Sequence, residues 1–147
     1  MGQELVVVED FVFPDELLYT TKHVWVKVED KTATVGVTSL GQSLAKGIVH
    51  VDLPVVGQNV KRNEVIASFE TIKAVVRIPS PLTGKIIEVN ERLLDNPETI
   101  NKDPYGEGWL FKISLKRKSE VKKLLTAKKA STYFKKFLKK ERESKRE

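Results

Sequence analysis

The chain has 147 residues, 26 Lys/Arg against 20 Asp/Glu, and no cysteine. That length predicts one domain, and the missing thiols exclude disulfides, zinc–thiolate centres and cysteine nucleophiles. The formal charge of +6 hides an asymmetry: residues 115–147 carry 14 basic and 4 acidic side chains (+10), and residues 1–114 carry 12 and 16 (−4).

Other classes fall away as directly. No apolar run approaches the ~18 residues of a membrane span. No basic stretch precedes an apolar one at the N-terminus, as a signal peptide requires. Val6 stands where the myristoylation motif that opens on Met1-Gly2 needs Ser or Thr. A cytoplasmic protein is expected. His23 and His50 are the two histidines, and neither sits in a ligand motif, so no metal site is expected.

In chain order, Trp25–Val28 and Ala33–Val37 read as strands joined by a turn at Glu29-Asp30-Lys31. Ser39-Leu40-Gly41-Gln42 has capping-box spacing, Leu40 and Leu44 fall four apart, and Gly47 suits a C-terminal cap, which predicts a helix over 39–46. Residues 47–53 alternate as a strand up to Pro54. Val55-Val56-Gly57 and Lys61-Arg62-Asn63-Glu64 read as turns, with Asn63 suited to left-handed backbone. A long β-branched run from Val65 to Ile78 follows, interrupted by Lys73. Periodicity places no turn there: Ile72 is β-branched, and neither Gly nor Asn is present. On the residues alone, 64–78 reads equally as one buried strand containing a lysine. Lys85–Asn90 is a further strand. Residues 93–108 are turn-rich, with one helical turn after Asn96-Pro97, and Trp109–Leu115 is the last strand. Trp25 and Trp109 read as core or rim packing, and Tyr105 and Asn101 as anchors of the loop before that strand.

Leu53–Val60 resembles Ser80–Ile87: each runs Pro, two residues, Gly, then strand. Two such halves with a lysine between them predict a flattened β-barrel of quasi-two-fold symmetry, which closes strand edges. Beyond it, Ser119–Leu125 reads as a helix start. Ser131 reads as the cap of a second helix, whose Tyr133, Phe134, Phe137 and Leu138 would pack on the body with lysines outward. This basic tail fits an acidic partner, RNA or an anionic membrane, and equally a solvated face that aids solubility. Only the tail is basic and no aromatic platform accompanies it, so no nucleic-acid partner is expected.

Several segments together resemble the H protein of the glycine cleavage system, a lipoyl carrier. They are Tyr19–Val26, Thr34–Thr38, Glu70-Thr71-Ile72-Lys73-Ala74, Pro81–Asn90 and Asp103-Pro104-Tyr105-Gly106-Glu107-Gly108-Trp109, within residues 18–138. The resemblance implies a mainly β, lipoyl/biotinyl-type flattened β-barrel (a barrel-sandwich hybrid) with a short internal helix and C-terminal helices. It puts Lys73 at an exposed hairpin tip, with lipoate bound covalently. Biotin carriers usually flank their lysine with Met, and here the neighbours are Ile72 and Ala74. It implies no catalytic residue: the chain is a carrier rather than an enzyme, a monomer whose arm visits other proteins. Glu70 would serve recognition by a lipoate ligase or lipoyl transferase, though an ordinary exposed carboxylate reads as well. His23 and Arg77 would lie near the arm. The expected division is an N-terminal extension over 1–17, a carrier domain over 18–115, and over 116–147 a basic helical segment packed on the domain with a frayed end.

The departures bear on cargo. The family usually has His-Glu-Trp where this chain has His23-Val24-Trp25, and Ser with an acid where it has Val76-Arg77; acidic and His residues common after Thr38 give way to Leu40, Ser43 and Leu44. An aminomethyl cargo is cationic when protonated, so losing carboxylates and gaining Arg77 removes an attraction. An oxidised sulfur cargo is anionic, and Arg77 would suit it. Arg77 as a solvated strand residue is the plainer reading. This favours an H-like paralogue carrying sulfur intermediates for a heterodisulfide-reductase-like sulfur oxidation system. The alternative is a genuine glycine cleavage H protein, shuttling aminomethyl from the decarboxylase (P protein) to the aminomethyltransferase (T protein), with dihydrolipoyl dehydrogenase (L protein) reoxidising the arm. A relay handing lipoyl groups to other proteins is a third possibility.

Overall fold

The computed structural model describes residues 5–145. The elements are β1 (Leu5–Val8), β2 (Phe11–Pro14), β3 (Leu18–Tyr19), β4 (Val24–Glu29), β5 (Thr32–Val37), α1 (Ser39–Ser43), β6 (Ile48–Asp52), β7 (Asn59–Val60), β8 (Val65–Thr71), β9 (Val75–Pro79), β10 (Gly84–Val89), α2 (Arg92–Asp95), α3 (Thr99–Lys102), β11 (Phe111–Leu115), a 3₁₀ turn (Lys118–Lys123), β12 (Leu125–Thr126) and α4 (Ala127–Lys145). Every pairing is antiparallel. One sheet runs β12-β3-β4-β5-β11-β10-β7, a second β6-β8-β9, and β1 and β2 form a hairpin. The expected mainly β, barrel-sandwich fold is what the chain adopts.

The main core lies between the two larger sheets. Val24, Val26, Val35 and Val37 enter it from one, and Val51, Ala67, Phe69 and Ile78 from the other. Alternation along β4 sends Trp25 the opposite way, into a second core with Phe13, Tyr19, Leu40 and Phe134. The first half of β4, Val24–Val26, is therefore buried on both faces, and the Trp25 indole N–H donates to the Pro104 carbonyl at 2.9 Å. The second core welds the N-terminal hairpin and α4 to the body. Residue numbers 1–4 and 146–147, which include Met1-Gly2 and the end of the tail expected to fray, lie outside the described residues.

The two similar segments meet each other. Gly84 pairs with Val60 and Lys85 with Asn59. Around them the Gly57 N–H donates to the Ile86 carbonyl (2.7 Å), Ile86 to Gln58 (2.9 Å) and Asn63 to Ser80 (2.7 Å). Asn63 has φ +73°, the left-handed backbone expected of it. Gly47 is left-handed too (φ +74°), but α1 ends at Ser43 with Leu44 as its C-cap, so Gly47 is not the helix cap expected.

Local boundaries differ where a side chain, rather than periodicity, decides. The helix expected over 39–46 spans 39–43, and its cap is Thr38, whose hydroxyl accepts from the Gly41 N–H at 3.0 Å. Ser39 instead exchanges hydrogen bonds with the Val12 backbone. Tyr105 and Asn101 reach further than their own loop: Tyr105 bonds Ser39 N–H and the Val12 carbonyl, and the Asn101 amide donates to Gln42. In the tail, residues 118–123 form a 3₁₀ turn rather than an α-helix. It is anchored by buried Glu120, whose carboxylate accepts from Thr83 N–H (2.8 Å) and hydroxyl (2.9 Å). The second helix starts at Ala127, with Thr126 Oγ1 accepting from Lys129 N–H, so Ser131 is interior and caps nothing. Ser131 donates to the Lys128 carbonyl instead.

Candidate functional site

Strands β8 and β9 pair from Val65↔Pro79 to Glu70↔Val75, so the chain reverses at residues 71–74 and not within one long strand. Thr71 makes the turn. Its N–H donates to the Ala74 carbonyl at 2.8 Å. Its hydroxyl accepts from the N–H of Lys73 (3.2 Å) and of Ala74 (3.0 Å), and lies 3.2 Å from the Ala74 carbonyl, to which it can donate. A threonine hydroxyl thus does locally what a Gly or Asn turn does through backbone conformation. Buried Phe69 and Ile78 root the hairpin in the main core. At its tip Ile72 is 87% exposed and Lys73 is exposed. Among the described residues, no carboxylate forms an ion pair with Lys73 Nζ. A lysine held out on a fixed turn, without a competing partner, is chemically open to acylation.

Of the other expected site residues, Glu70 is exposed on β8, opposite His50 on one side and Val75 on the other. His23 and Arg77 come together as walls of one groove of about 360 Å³. It lies between the 21–23 turn, α1 (Gly41, Leu44), β9 (Val76–Ile78) and α4 (Tyr133, Phe137). The groove starts two residues beyond the hairpin turn along β9, and Arg77 is about 13 Å from Lys73 by strand rise. No lining residue is acidic; Lys22 and Arg77 are the charged ones.

His23 is built in tightly. Its backbone is left-handed, φ +67°. Its carbonyl accepts from Thr38 N–H at 2.9 Å. Its ring stacks on Phe134 at 5.1 Å between centroids and meets Phe137 edge-on at 5.5 Å. Gly41 lets α1 come this close, since a Cβ there would sit 2.6 Å from His23 Cβ and from Val37 Cγ1. Nδ1 is buried with no hydrogen-bond partner. Burial, with a smaller contribution from Lys22, holds the imidazole pKa below its usual 6.5, so the neutral ring is favoured.

Val24 is not part of this site. It is fully buried in the main core beside Val26, on the face of β4 away from Trp25, so it withdraws no charge from the groove. Leu44 does line the groove and is 58% exposed, whereas Leu40 is buried in the second core. The sequence alone gives no turn-closing role to Thr71 and no site role to Phe134. A hydroxyl three residues before Ala74 was the available signal for the first. The second was read as packing, not as the floor under His23. Among the described residues no cluster of three or more His, Asp or Glu is placed to hold a metal, and no helix is long and apolar enough to cross a membrane.

A family model described as Glycine cleavage H-protein matches residues 17–137. The chain is 53% identical over 107 residues to the glycine cleavage system H protein of Thermotoga maritima, a match covering 73% of this chain and 86% of that protein. It is 47% identical over 130 residues to a probable glycine cleavage system H protein of Aeropyrum pernix, covering 86% and 91%. The crystal structure of a glycine cleavage system H protein from Mycobacterium marinum matches with TM-score 0.76 and 34% identity, over 82% of this chain and 97% of that one.

Two outcomes follow from the geometry. Thr71→Val removes the acceptor of two turn N–H groups and costs about 0.5–1.5 kcal/mol. That lowers Tm by about 1–6 °C and speeds amide exchange at Lys73 and Ala74, while Thr71→Ser retains both; thermal unfolding and exchange NMR read this directly. For His23, the unfolded chain takes up a proton near pH 6.5 that the folded chain resists. Its contribution is therefore complete above pH 6.5 and is lost as the pH falls below it. Between pH 7.5 and 5.5 the wild type should lose more Tm than His23→Asn, whose side chain tolerates the left-handed backbone; identical slopes would contradict the burial.

Proposed function

We infer the function from membership: this chain belongs to the glycine cleavage H-protein family. The proposal is a carrier, not a catalyst, with lipoate amide-linked to Lys73 Nζ. The observation that carries it is the exposed Lys73, without an ion-pair partner among the described residues, on a turn closed by Thr71. When bound, lipoate supplies a flexible arm ending in a redox-active dithiolane, and acylation removes the lysine charge. The chain supplies presentation. Thr71 fixes the attachment point, Phe69 and Ile78 root it, and tethering raises the arm's effective concentration at any docked enzyme. Glu70, the strand residue just before the turn and three before Lys73, is assigned to ligase recognition. The walls bearing His23 and Arg77 are assigned to the space beside the arm.

The preference for a sulfur-carrying paralogue is corrected. Part of its electrostatic case was Val24, which lies in the core. Leu40, another departure, is buried in the second core. Arg77 is exposed, and a guanidinium in water is screened and exerts about 1 kcal/mol or less on a nearby charge. The relatives described above are named for glycine cleavage. The proposed cargo is therefore the aminomethyl group, passed from the decarboxylase to the aminomethyltransferase, with dihydrolipoyl dehydrogenase restoring the arm. A lipoate ligase or lipoyl transferase would load Lys73, and these events are assigned to the cytoplasm.

Intact mass after incubation with a lipoate ligase, lipoate and ATP tests the attachment. A single lipoyl adduct is expected, mapped by peptide sequencing to Lys73 and absent from Lys73→Arg. An unmodified wild-type chain, or an adduct elsewhere, would overturn the assignment.

A further inference from the structure

α4 has two cationic flanks, and they differ. Lys135, Lys139 and Arg142 line a depression against β1 with Val8, Glu9 and Glu143, and Arg142 pairs with Glu9. With ~100° between successive helical residues, Lys136 and Lys140 fall on the other flank, the side of Tyr133, which lines the groove beside the Lys73 hairpin. Both lysines are exposed, and among the described residues neither has an ion-pair partner. Lys22 and Arg77 add two cations at the groove wall, and no acid lines it. Apolar side chains stand uncovered alongside: Ile72 is 87% exposed, Leu44 58% and Tyr133 42%.

We propose that Lys136 and Lys140, with Lys22, Arg77 and the apolar groove edge, form a docking surface for an acidic face of the enzyme that acts on the Lys73 arm. The proposal rests on the carrier reading. An apolar centre with a charged rim is the anatomy of a protein–protein contact. A rim of one sign selects a partner of the other sign and speeds encounter. The body is net acidic, so the tail reverses the local charge where a partner must approach. The groove wall continues β9 from the Lys73 turn, whereas Lys122 and Lys123, on the 3₁₀ turn, line no part of it.

The test compares Lys136→Glu/Lys140→Glu with Lys122→Glu/Lys123→Glu, which changes net charge equally. Each chain is first lipoylated to completion and checked by intact mass; a wild type that takes no adduct fails the carrier reading itself, a result distinct from those below. Release of carboxyl-labelled CO₂ from glycine by the cognate glycine decarboxylase, and aminomethyl consumption by the cognate aminomethyltransferase, are then measured with the lipoylated chain as varied substrate. With at least one enzyme, the groove-flank variant should lose about tenfold or more in kcat/KM at low salt, and the control about twofold or less, the gap closing as salt rises. Equal losses in both variants, or no loss with either enzyme, would overturn the surface. So would tight binding of the wild type to a single-stranded RNA homopolymer at about 0.15 M salt that the groove-flank variant alone loses, which would reassign the surface to nucleic acid.

Discussion

The turn carrying Lys73 is closed by the Thr71 hydroxyl, which accepts hydrogen bonds from the backbone of both Lys73 and Ala74. Without it, the segment from Val65 to Pro79 has no residue that favours a tight reversal. β-branched residues on both sides would continue as extended chain. With it, the run folds into two strands whose inner residues, Phe69 and Ile78, enter the core while Ile72 and Lys73 stay out. The geometry a carrier needs, a fixed base and an exposed nitrogen, follows from that one local choice.

The rest of the fold surrounds the hairpin with walls. The first half of β4 is buried on both faces, so one strand serves two cores. The second core brings α4 and the N-terminal hairpin against the body, and Phe134 carries the His23 ring that forms a groove wall. The basic tail is therefore not an appendage in its described part. Its apolar stripe completes the groove, and its two lysine flanks face different surroundings, one partly neutralised by Glu9.

Much of this was legible in the sequence because it rests on pattern. Alternating valines gave the strands, and Asn63 marked a left-handed turn that the backbone adopts. The paired Pro–Gly segments foretold strands that now pair with each other. What was not legible depends on side chains meeting across the fold or along a turn. Thr71 has no periodic signature. Thr38, not Ser39, caps α1 because Ser39 is spent on Val12. Ser131 resembles a helix start but follows one already capped by Thr126. Val24 was assigned to the arm's surroundings from its place in a motif, whereas strand alternation turns it into the core. That misplacement tilted the reading of cargo, since it removed a charge from a site the residue never occupies.

Reconstitution tests the central claim most directly. The lipoylated chain is combined with the cognate decarboxylase, aminomethyltransferase and dihydrolipoyl dehydrogenase, with NAD+ as electron acceptor and tetrahydrofolate as one-carbon acceptor, and NADH formation from glycine is followed as the chain is titrated. The account predicts NADH formation that requires the chain, saturates with it and is absent with Lys73→Arg. A fully lipoylated wild-type chain that supports no glycine-dependent NADH formation would contradict it.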